Sequence, residues 1–202
     1  MTTHSLGHNP QAHVQGRPLC LADPAYLPGL HVAPFSNITF DACSLEEGSI
    51  VGERGKAAAL LDHTLNAFNG FVAAIAMGTA RNVYEKAHKY AQERYQFGKM
   101  IIEHQRIKRY LAAMVVKMEM GTAGYTQALA REKAGKIATT GRTDLAKIFC
   151  TDAALEISLD AIQVHGGIGY MKETGLEKIM RDAKMLQLLG KSNPRLELEA
   201  LR

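Results

Sequence analysis

Apolar residues recur every third and fourth position from residue 56 almost to the end of the chain, and a pattern with that period commits the backbone to long helices. The series starts at Lys56 and runs through Ala57, Leu60, Leu61, Thr64, Leu65 and Phe68. Asn69-Gly70 reads as an interruption or a bend. Val72, Ile75, Ala76, Thr79, Ala80, Val83, Ala87 and Tyr90 then continue the pattern. The small residues Ala76, Ala80 and Ala87 on that stripe let a neighbouring helix come close. A further helix is predicted over 103–134, with Ile107, Leu111, Met114, Val115, Met118 and Tyr125 inward and Lys108, Arg109, Lys117 and Glu119 toward water. Its methionines suit a helix core or a plastic ligand surface. Residues 135–141 read as a turn. Thr143 is placed as the cap of the next helix, which runs to His165 with Leu145, Ile148, Phe149, Leu155, Leu159 and Ile162 inward. The last long pattern covers 176–189 through Ile179, Met180, Ala183, Leu186 and Leu189. Pro194 can open a short final helix but not sit inside one. Four helices of roughly 20 residues or more, joined by short turns, predict a mainly α fold built on an antiparallel four-helix bundle over 56–202.

The first 55 residues follow another pattern. Four of the six prolines (Pro10, Pro18, Pro24 and Pro28) fall within 1–30, which reads as a disordered or irregular tail. His4, His8 and His13 there could hold a metal, but a polar tail is the preferred reading and no metal site is expected. His31-Val32-Ala33 and Ile38-Thr39-Phe40 read as short extended segments, the end of a sheet whose other strands are absent. A loop over 41–55 follows, with Asp41, Glu46, Glu47, Gly48, Gly52, Glu53 and Gly55.

Composition excludes several function classes. At 202 residues the chain can bury a real core. Its net charge of +4 comes from bases interleaved with acids, which is a solvated surface rather than a nucleic-acid groove. There is no tryptophan, and aromatics make up 6%, so no stacking platform for single strands is expected. No apolar run approaches the roughly 20 residues of a membrane helix, and residues 1–15 lack the build of a signal peptide. Cys20, Cys43 and Cys150 form no C-x-x-C pair, which fits a reducing cytoplasm better than a zinc or disulfide framework.

Two stretches carry candidate chemistry. Glu93-Arg94-Tyr95-Gln96-Phe97-Gly98-Lys99 lies where two helices meet, and a turn there can present side chains to a ligand. It also reads as a plain helix terminus. His165-Gly166-Gly167-Ile168-Gly169-Tyr170 follows a helix, so the dinucleotide fingerprint of a βαβ unit does not apply. Its glycines are a helix stop, or a backbone that a ligand phosphate can approach. No H-E-x-x-H, G-x-x-x-x-G-K-[ST] or G-x-S-x-G motif occurs.

Six stretches together resemble the C-terminal half of the acyl-CoA dehydrogenases. They are Pro28-Gly29-Leu30, Ile38-Thr39-Phe40-Asp41, Val51-Gly52-Glu53-Arg54-Gly55-Lys56, Ala91-Gln92-Glu93-Arg94-Tyr95-Gln96-Phe97-Gly98-Lys99 with Glu103-His104-Gln105, Ala161-Ile162-Gln163-Val164-His165-Gly166-Gly167-Ile168-Gly169-Tyr170, and Met180-Arg181-Asp182-Ala183-Lys184. Their order and spacing fit from about residue 28 to 189. The resemblance implies that 31–55 is the remnant of a middle β-domain with its linker and that 56–202 is the C-terminal bundle domain. It implies FAD as cofactor, with Arg94, Gln96, Phe97, Gln105, Gln163, Gly166 and Gly167 as contacts across a dimer. Arginine and glycine amides suit a diphosphate, and an aromatic suits adenine.

The implied reaction is oxidation of an acyl-CoA thioester at Cα–Cβ, a step of fatty-acid metabolism, on a chain incomplete by itself. A homo-oligomer, or a hetero-oligomer with a longer acyl-CoA dehydrogenase subunit, is implied, and an electron-transfer flavoprotein as a further partner. The family's proton-abstracting glutamate aligns with Gly190 or, in some members, near Phe68, so no catalytic residue is assigned. Asp62, Glu197 and Glu199 nearby read as solvated helix acids. The alternatives are a non-catalytic subunit that completes the FAD site of a full-length dehydrogenase, a flavin-dependent monooxygenase relative, and an inactive remnant.

Overall fold

The computed structural model describes residues 12–14, 17–21, 25–33, 35–39, 47–133 and 142–200. The chain divides into two compact units, Met1–Ala57 and Ala58–Arg202.

In the first unit, β1 (Ala12–Val14), β2 (Arg17–Leu21) and β3 (Ile38–Thr39) form an antiparallel sheet in that order. Ala12 pairs with Leu19, His13 with Pro18, Cys20 with Thr39 and Leu21 with Ile38. The irregular tail predicted over 1–30 therefore contains two strands. Pro18 hid the second, because proline demotes a short run in any strand pattern. His31-Val32-Ala33 is a turn rather than a strand: Leu30 is left-handed at φ 54, and the Ala33 N–H donates to the Leu30 carbonyl at 2.9 Å. The tail histidines His4 and His8, the loop acids Asp41 and Glu46, and the turn predicted over 135–141 lie outside the described residues.

The second unit is the bundle. Its helices are α1 (Ala57–Glu93), α2 (Gln105–Lys133), α3 (Arg142–His165), α4 (Leu176–Leu188) and the short α5 (Asn193–Glu199). Side-chain pairings fix their directions. Lys117 of α2 meets Glu156 of α3 at 2.7 Å, and the Cys150 thiol reaches the Gly121 carbonyl at 3.4 Å, so these two helices run antiparallel. Gln187 near the end of α4 bonds Asp152 in the first half of α3, again antiparallel. Asn69 and Tyr90 of α1 meet Asp144 and His165 of α3, so this pair runs parallel, as the diagonal of an up-down-up-down bundle must.

The core is made of small side chains. Ala73, Ala76, Ala80, Ala87 and Ala91 of α1 are each fully buried, and Ala154, Ile157 and Ala161 of α3 are buried equally. Gly121 shows why the helices can approach, since a Cβ there would overlap the Met77 sulfur.

Four expectations change here. The helix α1 runs through Asn69-Gly70 without interruption. Gly70 serves close packing instead, because a Cβ on it would overlap the Leu129 side chain. Thr143 is a buried residue inside α3, not its cap. The helix α4 has 13 residues, well short of 20. Leu145, Phe149 and Leu159, predicted inward, are exposed, while the small residues of α3 face the core. The apolar residues of α3 surround it, so periodicity alone could not choose the buried side.

Candidate functional site

The connection between α1 and α2 is a miniature hairpin rather than a bare helix terminus. β4 (Tyr95–Gln96) pairs antiparallel with β5 (Lys99–Met100), and the Ile101 N–H closes its base on the Arg94 carbonyl at 2.8 Å. Phe97 at φ 53 and Gly98 at φ 83 make the two-residue turn, both left-handed as a tight hairpin requires. Glycine takes that conformation freely, but phenylalanine does not. The Phe97 ring is nonetheless 91% exposed, with only its edge toward the His104 ring at 6.3 Å. His104 also holds the turn, its Nε2 bonding the Gln96 carbonyl at 3.1 Å. A strained aromatic that is not buried points to a use other than packing.

Arg94, Gln96 and Gln105 are exposed beside it, and the Arg94 guanidinium has no carboxylate partner among the described residues. The end of α3 lies at the same end of the bundle. The His165 ring stacks on Tyr90 of α1 with centroids 4.3 Å apart, and its Nδ1–H donates to the Ala161 carbonyl at 2.9 Å. Burial holds the His165 pKa below the usual histidine value; the Ala161 bond opposes this and Lys86 adds to it. The imidazole is therefore neutral at physiological pH. Gln163, Gly166 and Gly167 are exposed there.

The glycine run divides by role. Gly169 is a packing glycine, since a Cβ would lie 2.6 Å from the Ile162 carbonyl oxygen. Gly166 is left-handed at φ 64, and nothing crowds Gly167. All seven residues expected to bind a cofactor thus sit at one end of the bundle. An unpaired guanidinium, an open glycine backbone and an exposed ring suit an anionic ligand with an aromatic base.

A second cluster occupies the opposite end. Phe68 lies against Gly190, two residues past the end of α4: its ring carbon would be 3.3 Å from a Cβ there, and Gly190 is left-handed at φ 68. Neither residue can take a proton. Two of the nearby acids, Asp62 and Glu199, are held in ion pairs. Lys191 contacts Asp62 at 3.0 Å and Glu199 at 2.9 Å, and Arg195 reaches Glu199 at 2.9 Å. The Arg195 and Lys191 bonds keep the Glu199 carboxyl below its usual pKa, which makes it a poor base.

Beneath them are groups that helical periodicity does not single out. Asn69 is fully buried, donating to Asp144 at 2.6 Å, and its Oδ1 has no hydrogen-bond partner among the described residues. Lys147 is fully buried in α3. Its position inside Leu145-Ala146-Lys147-Ile148-Phe149 is the one available signal, a charge in an apolar run.

Among the described residues there is no group of three or more His, Cys, Asp or Glu that could hold a metal ion, and no helix long and apolar enough to cross a membrane. Residues 58–193 match the family model described as acyl-CoA dehydrogenase, C-terminal domain. The cyclohexane-1-carbonyl-CoA dehydrogenase of Geobacter metallireducens is 32% identical over 78% of this chain and 41% of its own length. An acyl-CoA dehydrogenase of Bacillus subtilis is 33% identical over 82% of this chain and 43% of its own. The structure of butyryl-CoA dehydrogenase from Megasphaera elsdenii superposes with a TM-score of 0.87 at 26% identity, over 97% of this chain and 50% of that one. The chain thus spans half or less of the length of these relatives. By the match of its bundle and the likeness of these proteins, the chain belongs to the acyl-CoA dehydrogenase family, through that family's C-terminal domain.

Proposed function

We propose that this chain supplies the bundle of an acyl-CoA dehydrogenase-type flavoprotein in the cytoplasm, acting on an acyl-CoA thioester at Cα–Cβ only within an oligomer. The observation that carries the reading is the exposed Phe97 ring, fixed in a left-handed turn beside the unpaired Arg94 guanidinium. Arg94 would neutralise the diphosphate of FAD, Phe97 would cover its adenine, and Gln96, Gln105 and Gln163 would bond its polar edges. The Gly166 and Gly167 backbone would lie against the phosphates. When bound, FAD supplies the acceptor for the hydride from Cβ.

The two clusters of the bundle cannot serve one flavin within a single chain. From Phe68 to Glu93, α1 rises about 38 Å, farther than one dinucleotide reaches. The flavin would be shared, with the hairpin end of one chain meeting the acyl end of another. That partner is a second copy or a longer dehydrogenase subunit, and reoxidation would fall to an electron-transfer flavoprotein.

A second reading is favoured by the two places where the base is expected, Gly190 and the neighbourhood of Phe68, since neither Gly190 nor Phe68 is an acid. On that reading the chain completes the flavin site of a full-length subunit and abstracts no proton itself. Visible absorbance of the purified chain, alone and mixed with a longer homologous subunit after addition of FAD, tests both. A flavin band with the chain alone supports the first reading, and a band that requires the partner supports the shared site. No band in either case overturns both.

A further inference from the structure

Gly190 lies in a short linker between α4 and α5, and α3 fastens that linker on both sides. The residues that do so are Lys147 and Thr151, one turn apart on the same face of α3, and Asp152 next to Thr151. Lys147 Nζ donates to the Lys191 carbonyl, immediately after Gly190, and more loosely to the Gln187 carbonyl at 3.4 Å. Gln187 Nε2 donates to Asp152 Oδ1 at 2.6 Å on the near side of the linker. On the far side, Asn193 Nδ2 donates to Thr151 Oγ1 and to Asp152 Oδ1, each at 2.8 Å.

Lys147 is the unusual member. It is the largest fully buried side chain in the bundle, and it spends its ammonium on backbone carbonyls rather than on a direct ion pair. Burying a cation is costly, and a packed apolar residue of the same length would serve stability as well or better. What an apolar residue cannot do is hold the carbonyl after Gly190 in one place. That carbonyl fixes the path of the left-handed Gly190 and therefore its contact with Phe68.

We propose that Lys147 is the positioning residue of this wall: it clamps the Gln187 and Lys191 carbonyls so that Gly190 and Phe68 present one fixed surface to the acyl group. The assignment of that surface to the acyl group rests on the function proposed above. The clamp itself does not.

Hydrogen exchange of the full chain separates the two. In K147M, the segment 187–193 is expected to exchange roughly tenfold faster, while 107–118 of α2 stays within about twofold of the unsubstituted chain. Equal acceleration of both segments would show a merely structural lysine and overturn the proposal, as would no change at 187–193. Should K147M fail to fold, K147Q is read by the same two segments, with the same outcomes for and against. Butyryl-CoA titrated into the FAD-loaded oligomer is the second readout. Binding by the unsubstituted protein that weakens about tenfold in K147M supports the positioning role at the acyl wall. Unchanged affinity overturns that role. Absence of binding by the unsubstituted protein, with selective loosening still seen by exchange, removes the acyl-site reading and leaves the clamp standing.

Discussion

The Phe68 ring stands 3.3 Å from where a Cβ on Gly190 would be, so the two positions at which the family's base is expected face each other and neither carries an acid. They are not equivalent places to restore one. Gly190 is left-handed at φ 68, and any side chain there is strained and runs into the ring. Phe68 lies on a regular helix and is already 36% exposed. F68E should therefore raise butyryl-CoA oxidation by the FAD-loaded oligomer, by up to the roughly 10²–10⁴-fold that a positioned base contributes. G190E should give no gain and melt lower. Equal turnover by the unsubstituted protein and F68E would mean that the base lies elsewhere.

Phe97 separates stability from binding. An L-residue held left-handed costs roughly 1–2 kcal/mol, and glycine removes that cost. F97G should therefore melt a few degrees higher, about 2–4 °C for each kcal/mol in a chain of this size. Its affinity for FAD should fall, because the exposed ring is gone. R94A should lose about 10–100-fold in FAD affinity, the worth of a charge-assisted contact, with its melting temperature unchanged. Calorimetric titration and thermal melts measure both. A variant F97G that binds FAD undiminished would remove the adenine contact from the proposal.

The sequence made the helices legible because their period is a direct consequence of backbone geometry. It also singles out the corner at Glu93–Lys99 and the glycine run after His165 as candidate chemistry, and only their assignment to FAD comes through the family resemblance. What it could not show is instructive at Gly70 and Phe97. A glycine in a helical run reads as a breaker, yet Gly70 is there because Leu129 occupies the space of its side chain. A phenylalanine carries no turn signal, so the left-handed corner was invisible. The clamp was hidden for a different reason: Lys147, Thr151 and Asp152 meet Gln187, Lys191 and Asn193 from some 40 residues away, as the separations of 35 and 44 between bonded residues show.

Helical glycines should respond in opposite directions. Gly78 and Gly124 lie on helices with nothing within 4 Å of where a Cβ would stand, so G78A and G124A should each stabilise by up to about 1 kcal/mol through backbone entropy alone. A Cβ on Gly121 would overlap the Met77 sulfur and stand 3.3 Å from the Cys150 sulfur. There the same change should destabilise by about 1–2 kcal/mol, the overpacking cost less the helix gain. Thermal melts of the three variants test it, and a stabilised G121A would mean that α1 and α2 pack less tightly than described.

Lys147 gives a pH dependence with a definite sign. Burial pushes its pKa down from the ordinary 10.5 to about 8, although Asp144 and Asp152 pull it upward. Between those values the unfolded chain holds a proton that the folded chain has released. Stability from this residue therefore rises with pH across that window, by an amount on the order of 3 kcal/mol at most. The melting temperature of the unsubstituted chain should gain on that of K147M between pH 7.5 and 10. The comparison cancels other groups, among them Cys150, whose buried thiol is pushed up to about 12 and works in the opposite direction above pH 9. A difference that is flat or falls with pH would contradict the buried, proton-releasing lysine.

The outer face of α2 and α3 predicts the state of the protein in solution. Val116, Met120, Leu145 and Phe149 are exposed together, and Met120, Leu145 and Phe149 line one shallow groove. A contiguous apolar surface on a helical bundle tends to find a partner. The purified chain should therefore sediment as an oligomer at micromolar concentration. The double substitution M120E with F149E should shift it toward monomer, because a carboxylate at either position is tolerated in water but not inside an apolar contact. Both residues are already partly exposed, so the helices themselves should survive, and circular dichroism would verify that. A single sharp monomer boundary from the unsubstituted chain would remove self-association, and the shared flavin site would then depend on a longer subunit alone.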